Sequence, residues 1–125
     1  AKLGGQNLNG ILAQHPYVIK FIKNPSADQQ LSAVLADPKS LGYIRNPDSY
    51  AALRAIKVLP WTIQYVKYPT EEMWIWAVDD DVSMIMKNPK PTWFMVRLAI
   101  ERNFTKVYQH PGLTEEMKTY LTLIS

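Results

Sequence analysis

Apolar positions return every 22 residues along this chain. Ile19, Leu41, Ile63, Ile85 and Val107 form one column. Ala33, Ala55, Ala77 and Ala99 form a second, each followed by a branched residue, Val34, Ile56, Val78 or Ile100. A polar column, Ser26, Asp48, Thr70, Thr92 and Thr114, keeps the same spacing. A self-similar period of this length marks a repeat protein, so the unit to explain is one repeat used about five times.

The prolines obey the same grid. Pro25, Pro47, Pro69 and Pro91 are 22 apart, as are Pro16, Pro38 and Pro60, and again Pro89 and Pro111. Pro38 to Leu59 serves as the type unit. Asp37 can cap a first helix, about Pro38 to Arg45, in which proline at the first position loses no hydrogen bond. Leu41 and Ile44 share one side of it. Asn46-Pro47 breaks the helix, because the residue before proline avoids the α region and the ring cannot continue the ladder. Asp48 then caps a second helix, about Ser49 to Val58, with Leu53, Ala55 and Ile56 inward.

Two short helices per repeat predict an all-α fold: a short, right-handed α-solenoid of about five two-helix repeats in a single domain over residues 1–125. The repeats are expected at about 15–37, 38–59, 60–80, 81–102 and 103–125. Leu8, Ile11 and Leu12 fall near the same phase, so residues 1–14 read as an N-terminal cap with a degenerate helix over 5–14. In the last repeat Leu121 and Thr122 replace the alanine and branched pair, as suits a terminal unit. Helices this short are marginal alone and depend on stacking to bury their apolar columns. At one helix–helix distance per repeat the stack would be roughly 40–50 Å long. Lys87-Asn88-Pro89-Lys90-Pro91 carries two prolines where other repeats have one. It reads as a two-residue insertion, compensated by a shorter turn at Pro111-Gly112, with a local bend.

Composition narrows the classes. A chain of 125 residues, 47% hydrophobic and 20% charged, is ordinary globular material rather than a disordered tail. It has no cysteine, which excludes disulfides and thiolate metal sites. No apolar run approaches the roughly 20 residues of a membrane helix, so no membrane partner is expected. The first residues lack the apolar core of a secretory signal. A net charge of +3 is too mild to indicate nucleic acid by itself.

Ile44-Arg45-Asn46-Pro47 and Met86-Lys87-Asn88-Pro89 give the turn a recognisable form. The repeats resemble HEAT-like helical repeats in general. More closely, these turns resemble the "IKNP" unit of short helical repeats met in tailed-phage and giant-virus proteins. The resemblance covers residues 15–125. It implies the solenoid fold, a phage or viral origin and a place in the host cytoplasm or the virion; the motif describes a turn and no chemistry.

Several constellations are candidates for function. Lys23, Arg45, Lys67 and Lys87 recur two residues before the break, with Gln109 departing. Stacked repeats would align them into a cationic ladder suited to an acidic protein or a nucleic-acid backbone. The same cations would also complement helix C-terminal dipoles, each contributing about 0.3–1 kcal/mol. Asp79-Asp80-Asp81 is a carboxylate run without the spaced loop of a calcium site; Asp81 suits an N-cap, and no metal is expected. His15 and His110 precede prolines at opposite ends and neighbour no nucleophile arrangement. With no phosphate loop or paired-carboxylate motif, neither enzymatic activity nor a cofactor is expected.

The aromatics are the sharpest signal. All four tryptophans lie between residues 61 and 93. Trp61 shares its column with Tyr17, Lys39, Ser83 and Thr105, while Trp76 shares one with Ser32, Arg54 and Tyr120. Trp93 shares another with Ala27, Ser49, Glu71 and Glu115. Those columns are mostly polar, so their default face is solvent. The helix from Trp93 to Arg102 is apolar nearly all round, with Arg97 its internal charge. Clustered exposed aromatics mark an interface, and Trp and Arg are typical anchors. Trp61, Trp76, Trp93, Phe94 and Arg97 are therefore the expected partner-binding residues. The expected function is a non-enzymatic protein-binding module that engages itself, a virion component or a host protein through repeats three and four. The alternative is a nucleic-acid-backbone-binding repeat using the ladder Lys23, Arg45, Lys67 and Lys87.

Overall fold

Every residue of the polar column caps an α-helix. Ser26 Oγ accepts the N–H of Gln29 at 3.1 Å, and Gln29 Oε1 returns the bond to Ser26 N at 2.8 Å, a capping box. Asp48 accepts from Tyr50 and Ala51, and Thr70, Thr92 and Thr114 each accept from the N–H three residues on. The computed structural model describes residues 8–125. The α-helices are α1 Leu8–Gln14, α2 Ala27–Ala36, α3 Ser49–Val58, α4 Glu71–Asp80, α5 Trp93–Glu101 and α6 Glu115–Ile124. Among the described residues there is no strand. The expected N-terminal helix is α1; residues 5–7 of that expectation lie outside the described residues.

The first helix of each repeat is a 3-10 helix and not the α-helix expected over Pro38–Arg45. These segments are Pro16–Phe21, Pro38–Tyr43, Pro60–Tyr65, Val82–Lys87 and Thr105–Gln109. The backbone turns extended at Ile22, Ile44, Val66 and Asn88 after only six residues, too few for two α turns. The tighter i→i+3 pattern uses those residues instead. It closes in the same way each time: the N–H of Ile22, Ile44, Val66, Asn88 and His110 donates to the carbonyl of Ile19, Leu41, Ile63, Ile85 and Val107. The buried column thus also terminates each 3-10 helix.

The helices α1 to α5 touch in chain order, α5 meets α6 through Trp93 and Tyr120, and the first three 3-10 helices touch in turn, as do the last two, so the elements form two rows in chain order. The core lies between the rows. The five 3-10 column residues are at most 1% exposed, and Ala33, Ala55, Ala77 and Ala99 are fully buried. Alanine at Ala51, Ala52 and Ala55 lets α3 approach α2 and α4 closely. Beyond α4 the spacing is wider, because Trp74 and Val96 stand where α3 has Ala52. Met73, Met95 and Met117, buried and 22 residues apart, continue the column of Ala51. Ile100 departs from the buried branched column and is only half-buried, beside Phe104.

Repeat four keeps the grid that the double proline was expected to break. Val82 begins its 3-10 helix and Thr92 caps α5, each 22 residues after its counterpart. There is no two-residue insertion. Pro89 instead meets the next turn: a Cβ on Gly112 would stand 2.0 Å from the Pro89 carbonyl oxygen. The irregularity falls one helix later, where Phe104 stands in the column of Pro16, Pro38 and Pro60. Val82 also replaces that proline and α4 before it still ends in the extended Asp81, whereas α5 ends in a left-handed residue, Asn103, with φ 58°. The N–H of Phe104 donates to Ala99 and that of Asn103 to Ile100, the bond pair of a Schellman motif. The following 3-10 helix starts one residue late and is five residues long.

Candidate binding surfaces

The structure divides the predicted aromatic set between two rows. Trp76, Phe94 and Arg97 are exposed on the α row, with Trp76 39% and Phe94 53% accessible. Phe94, Arg97, Leu98 and Glu101 line a shallow hollow of about 220 Å³ on α5. Trp76 occupies the column of Leu98 on the adjacent helix, which sets it on the same face. The ammonium of Lys57 lies 4.1 Å from its ring centroid. Trp61 belongs to the 3-10 row and meets Tyr65 edge-on at 5.8 Å. Trp93 is half-buried rather than solvent-facing, edge-on to Tyr120 at 5.5 Å. The wider spacing between α5 and α6 leaves room for that ring, which column chemistry alone could not reveal.

Charge separates between the rows, a pattern the sequence reading missed although it is countable. The segments 16–25, 38–47, 60–69, 82–91 and 105–113, each a 3-10 helix with its following turn, hold none of the 11 Asp and Glu residues. They hold eight of the 14 Lys and Arg: Lys20 and Lys23, Lys39 and Arg45, Lys67, Lys87 and Lys90, and Lys106. The acids cluster at α-helix caps, first turns and α4, where several complement helix N-termini. The net charge of +3 therefore hides a basic row beside an acidic one.

The cationic ladder lies along the edge of the basic row. Lys23, Arg45 and Lys67 each follow the extended residue that ends a 3-10 helix, and Lys87 closes the fourth. Among the described residues the ion pairs are Arg102–Asp79 at 2.7 Å and Lys118–Glu115 at 3.3 Å, which leaves the ladder unneutralised. The ladder residues line two grooves. One, of about 410 Å³ between repeats one and two, includes Lys20, Lys23, Tyr43 and Arg45. The other, of about 490 Å³ between repeats three and four, includes Lys67, Tyr68, Trp74 and Lys87. No carboxylate lines either groove.

Arg102 pairs with Asp79 through both its carboxylate and its carbonyl oxygen, joining α4 to the end of α5. Asp81 caps the fourth 3-10 helix, accepting from Ser83 N at 3.1 Å and Ser83 Oγ at 2.6 Å. Among the described residues no three His or acidic side chains converge as metal ligands. His15 is exposed, its ring edge-on to Tyr17 at 6.0 Å. His110 is buried; its Nδ1 accepts the N–H of Gly112 at 2.8 Å, which leaves Nε2–H to donate to the Ile85 carbonyl at 2.8 Å.

No protein-family model, curated protein or solved structure matches the chain. Among the described residues no helix is long and apolar enough to cross a membrane.

Proposed function

We propose that this chain is a non-enzymatic helical-repeat module, a short right-handed α-solenoid of about five two-helix repeats, that binds a protein through the α row of repeats three and four. The observation that supports it is Phe94, 53% exposed at the rim of a hollow whose other walls include Leu98 and the unpaired Arg97. An apolar anchor from a partner would fill the hollow while a carboxylate meets Arg97, with Trp76 widening the contact on the next helix. Trp93 adds support from beneath by holding α5 to α6. The partner is a second copy, a virion component or a host protein. The turn resemblance favours a phage-encoded chain acting in the host cytoplasm or the virion.

Sedimentation velocity over a concentration series tests the second copy. Affinity capture compares the parent with Phe94→Ser and Arg97→Glu as baits. The reading predicts self-association, or a retained protein, that both substitutions abolish while helical content is unchanged. A monomer that retains nothing the variants lose overturns it. Small-angle scattering tests the solenoid, which predicts an elongated particle roughly 40–50 Å long.

A further inference from the structure

The basic row carries rings as well as charges. Phe21, Tyr43 and Tyr65 are the last residues of the first three 3-10 helices, 22 residues apart, and are 74%, 50% and 37% exposed. They form a connected strip. The Lys20 ammonium lies 5.2 Å from the Phe21 centroid and 5.5 Å from that of Tyr43, bridging repeats one and two. The Tyr65 ring abuts Gly42, close enough that a Cβ there would sit 3.0 Å from it. Trp61 continues the strip edge-on to Tyr65. Two residues beyond each ring stands a ladder cation, Lys23, Arg45 or Lys67.

We propose that this edge binds single-stranded nucleic acid, with phosphates held by Lys20, Lys23, Arg45 and Lys67 and unpaired bases stacked on Phe21, Tyr43 and Tyr65. Cations converging in a groove without a carboxylate repel one another, and an anion relieves that repulsion. Exposed rings in register with the cations add what an acidic peptide has no use for: flat faces that any base can stack on. A duplex keeps its bases stacked internally and leaves the rings idle. Repeated ring-and-cation pairs, one per repeat, suit a polymer that repeats the same two chemistries. Lys20 has only to leave its exposed rings for a phosphate. This site lies on the opposite row from Phe94 and Arg97, so it stands independently of the protein-binding reading.

The test uses the full chain and a labelled oligothymidylate long enough to span three repeats, roughly 25–30 Å, followed by fluorescence anisotropy across a salt series. A duplex of the same length and an oligoglutamate peptide are the comparison arms. Binding should weaken with salt, and Lys23→Gln with Arg45→Gln should reduce the log–log slope by roughly 0.7 per cation. Phe21→Ala and Tyr43→Ala should each weaken single-strand binding by about 5-fold or more while leaving that slope unchanged. All four positions are exposed, and circular dichroism checks that the variants remain folded. Equal affinity for the duplex, equal affinity for oligoglutamate, indifference to the ring substitutions, or no binding at low salt would each overturn the proposal.

Discussion

Gln30 holds the backbone of Asp48. Its Oε1 accepts the Asp48 N–H at 2.7 Å while its Nε2 donates to the Pro25 carbonyl at 3.0 Å, so one buried amide ties the turn of repeat one to the helix cap of repeat two. The matching positions, Ala52, Trp74 and Val96, offer no such bridge. Gln30→Leu would leave both backbone groups without partners. It should cost about 1–3 kcal/mol in chemical denaturation; an unchanged midpoint would mean that water replaces the amide.

Ala55 is fully buried where α3 meets its neighbours. Ala55→Leu should overpack that contact and cost about 1–3 kcal/mol. Leu35→Ala, at an exposed position, should stay within about 0.5 kcal/mol of the parent. Parallel urea titrations of the two decide whether the alanine column is the site of close approach.

The Thr70 hydroxyl accepts the N–H of Met73 at 3.1 Å at the start of α4. Thr70→Ala should cost about 1 kcal/mol, and Thr70→Asp should recover most of it, since Asp48 fills the same role one repeat earlier. Thermal melts of the three proteins give the comparison.

Gly112 has no room for a side chain against Pro89. Gly112→Ala should displace the turn between repeats four and five and cost about 1–3 kcal/mol. Amide exchange should then quicken around His110, whose ring accepts from Gly112 N–H. Normal stability with unchanged exchange would show that the two turns separate freely.

Trp76 and Trp93 should respond unequally to serine. Trp76→Ser removes an exposed ring and its contact with Lys57, a loss below about 1 kcal/mol. Trp93→Ser removes a half-buried ring packed on Tyr120 and should cost about 2 kcal/mol. Tryptophan emission of the monomer should shift to the blue when Trp76 is replaced, because the more exposed fluorophore is lost. Equal destabilisation by the two substitutions would contradict the placement of Trp93.

The capping residues and buried columns were legible because each obeys local rules repeated at one spacing: Thr70 needs only the N–H of Met73, and Ile63 only an inward position. The 3-10 form of the first helices was hidden because hydrophobic positions at 41 and 44 suit either helix type; the turn to extended backbone already at Ile44 decides it. Asn103 ending α5 was readable in principle, because asparagine enters the left-handed region more readily than most residues. Trp93 was not, since its burial depends on how far α6 stands from α5. The two-row charge pattern was present in the residue counts and emerges once charges are sorted by segment rather than summed.

The methionine column gives the stack uneven mechanics. Between α2 and α4 alanine brings backbones together, and such a contact has almost no rotamers with which to yield. From α4 to α6 the gap is filled by Met73, Met95 and Met117, long thioether chains that repack at little cost. A bending load along the rows would be absorbed between repeats three and five while the first repeats turn as one body. Phe94 and Arg97 sit on the compliant part, so the partner proposed for them would take hold of the end of the molecule that can reshape to meet it.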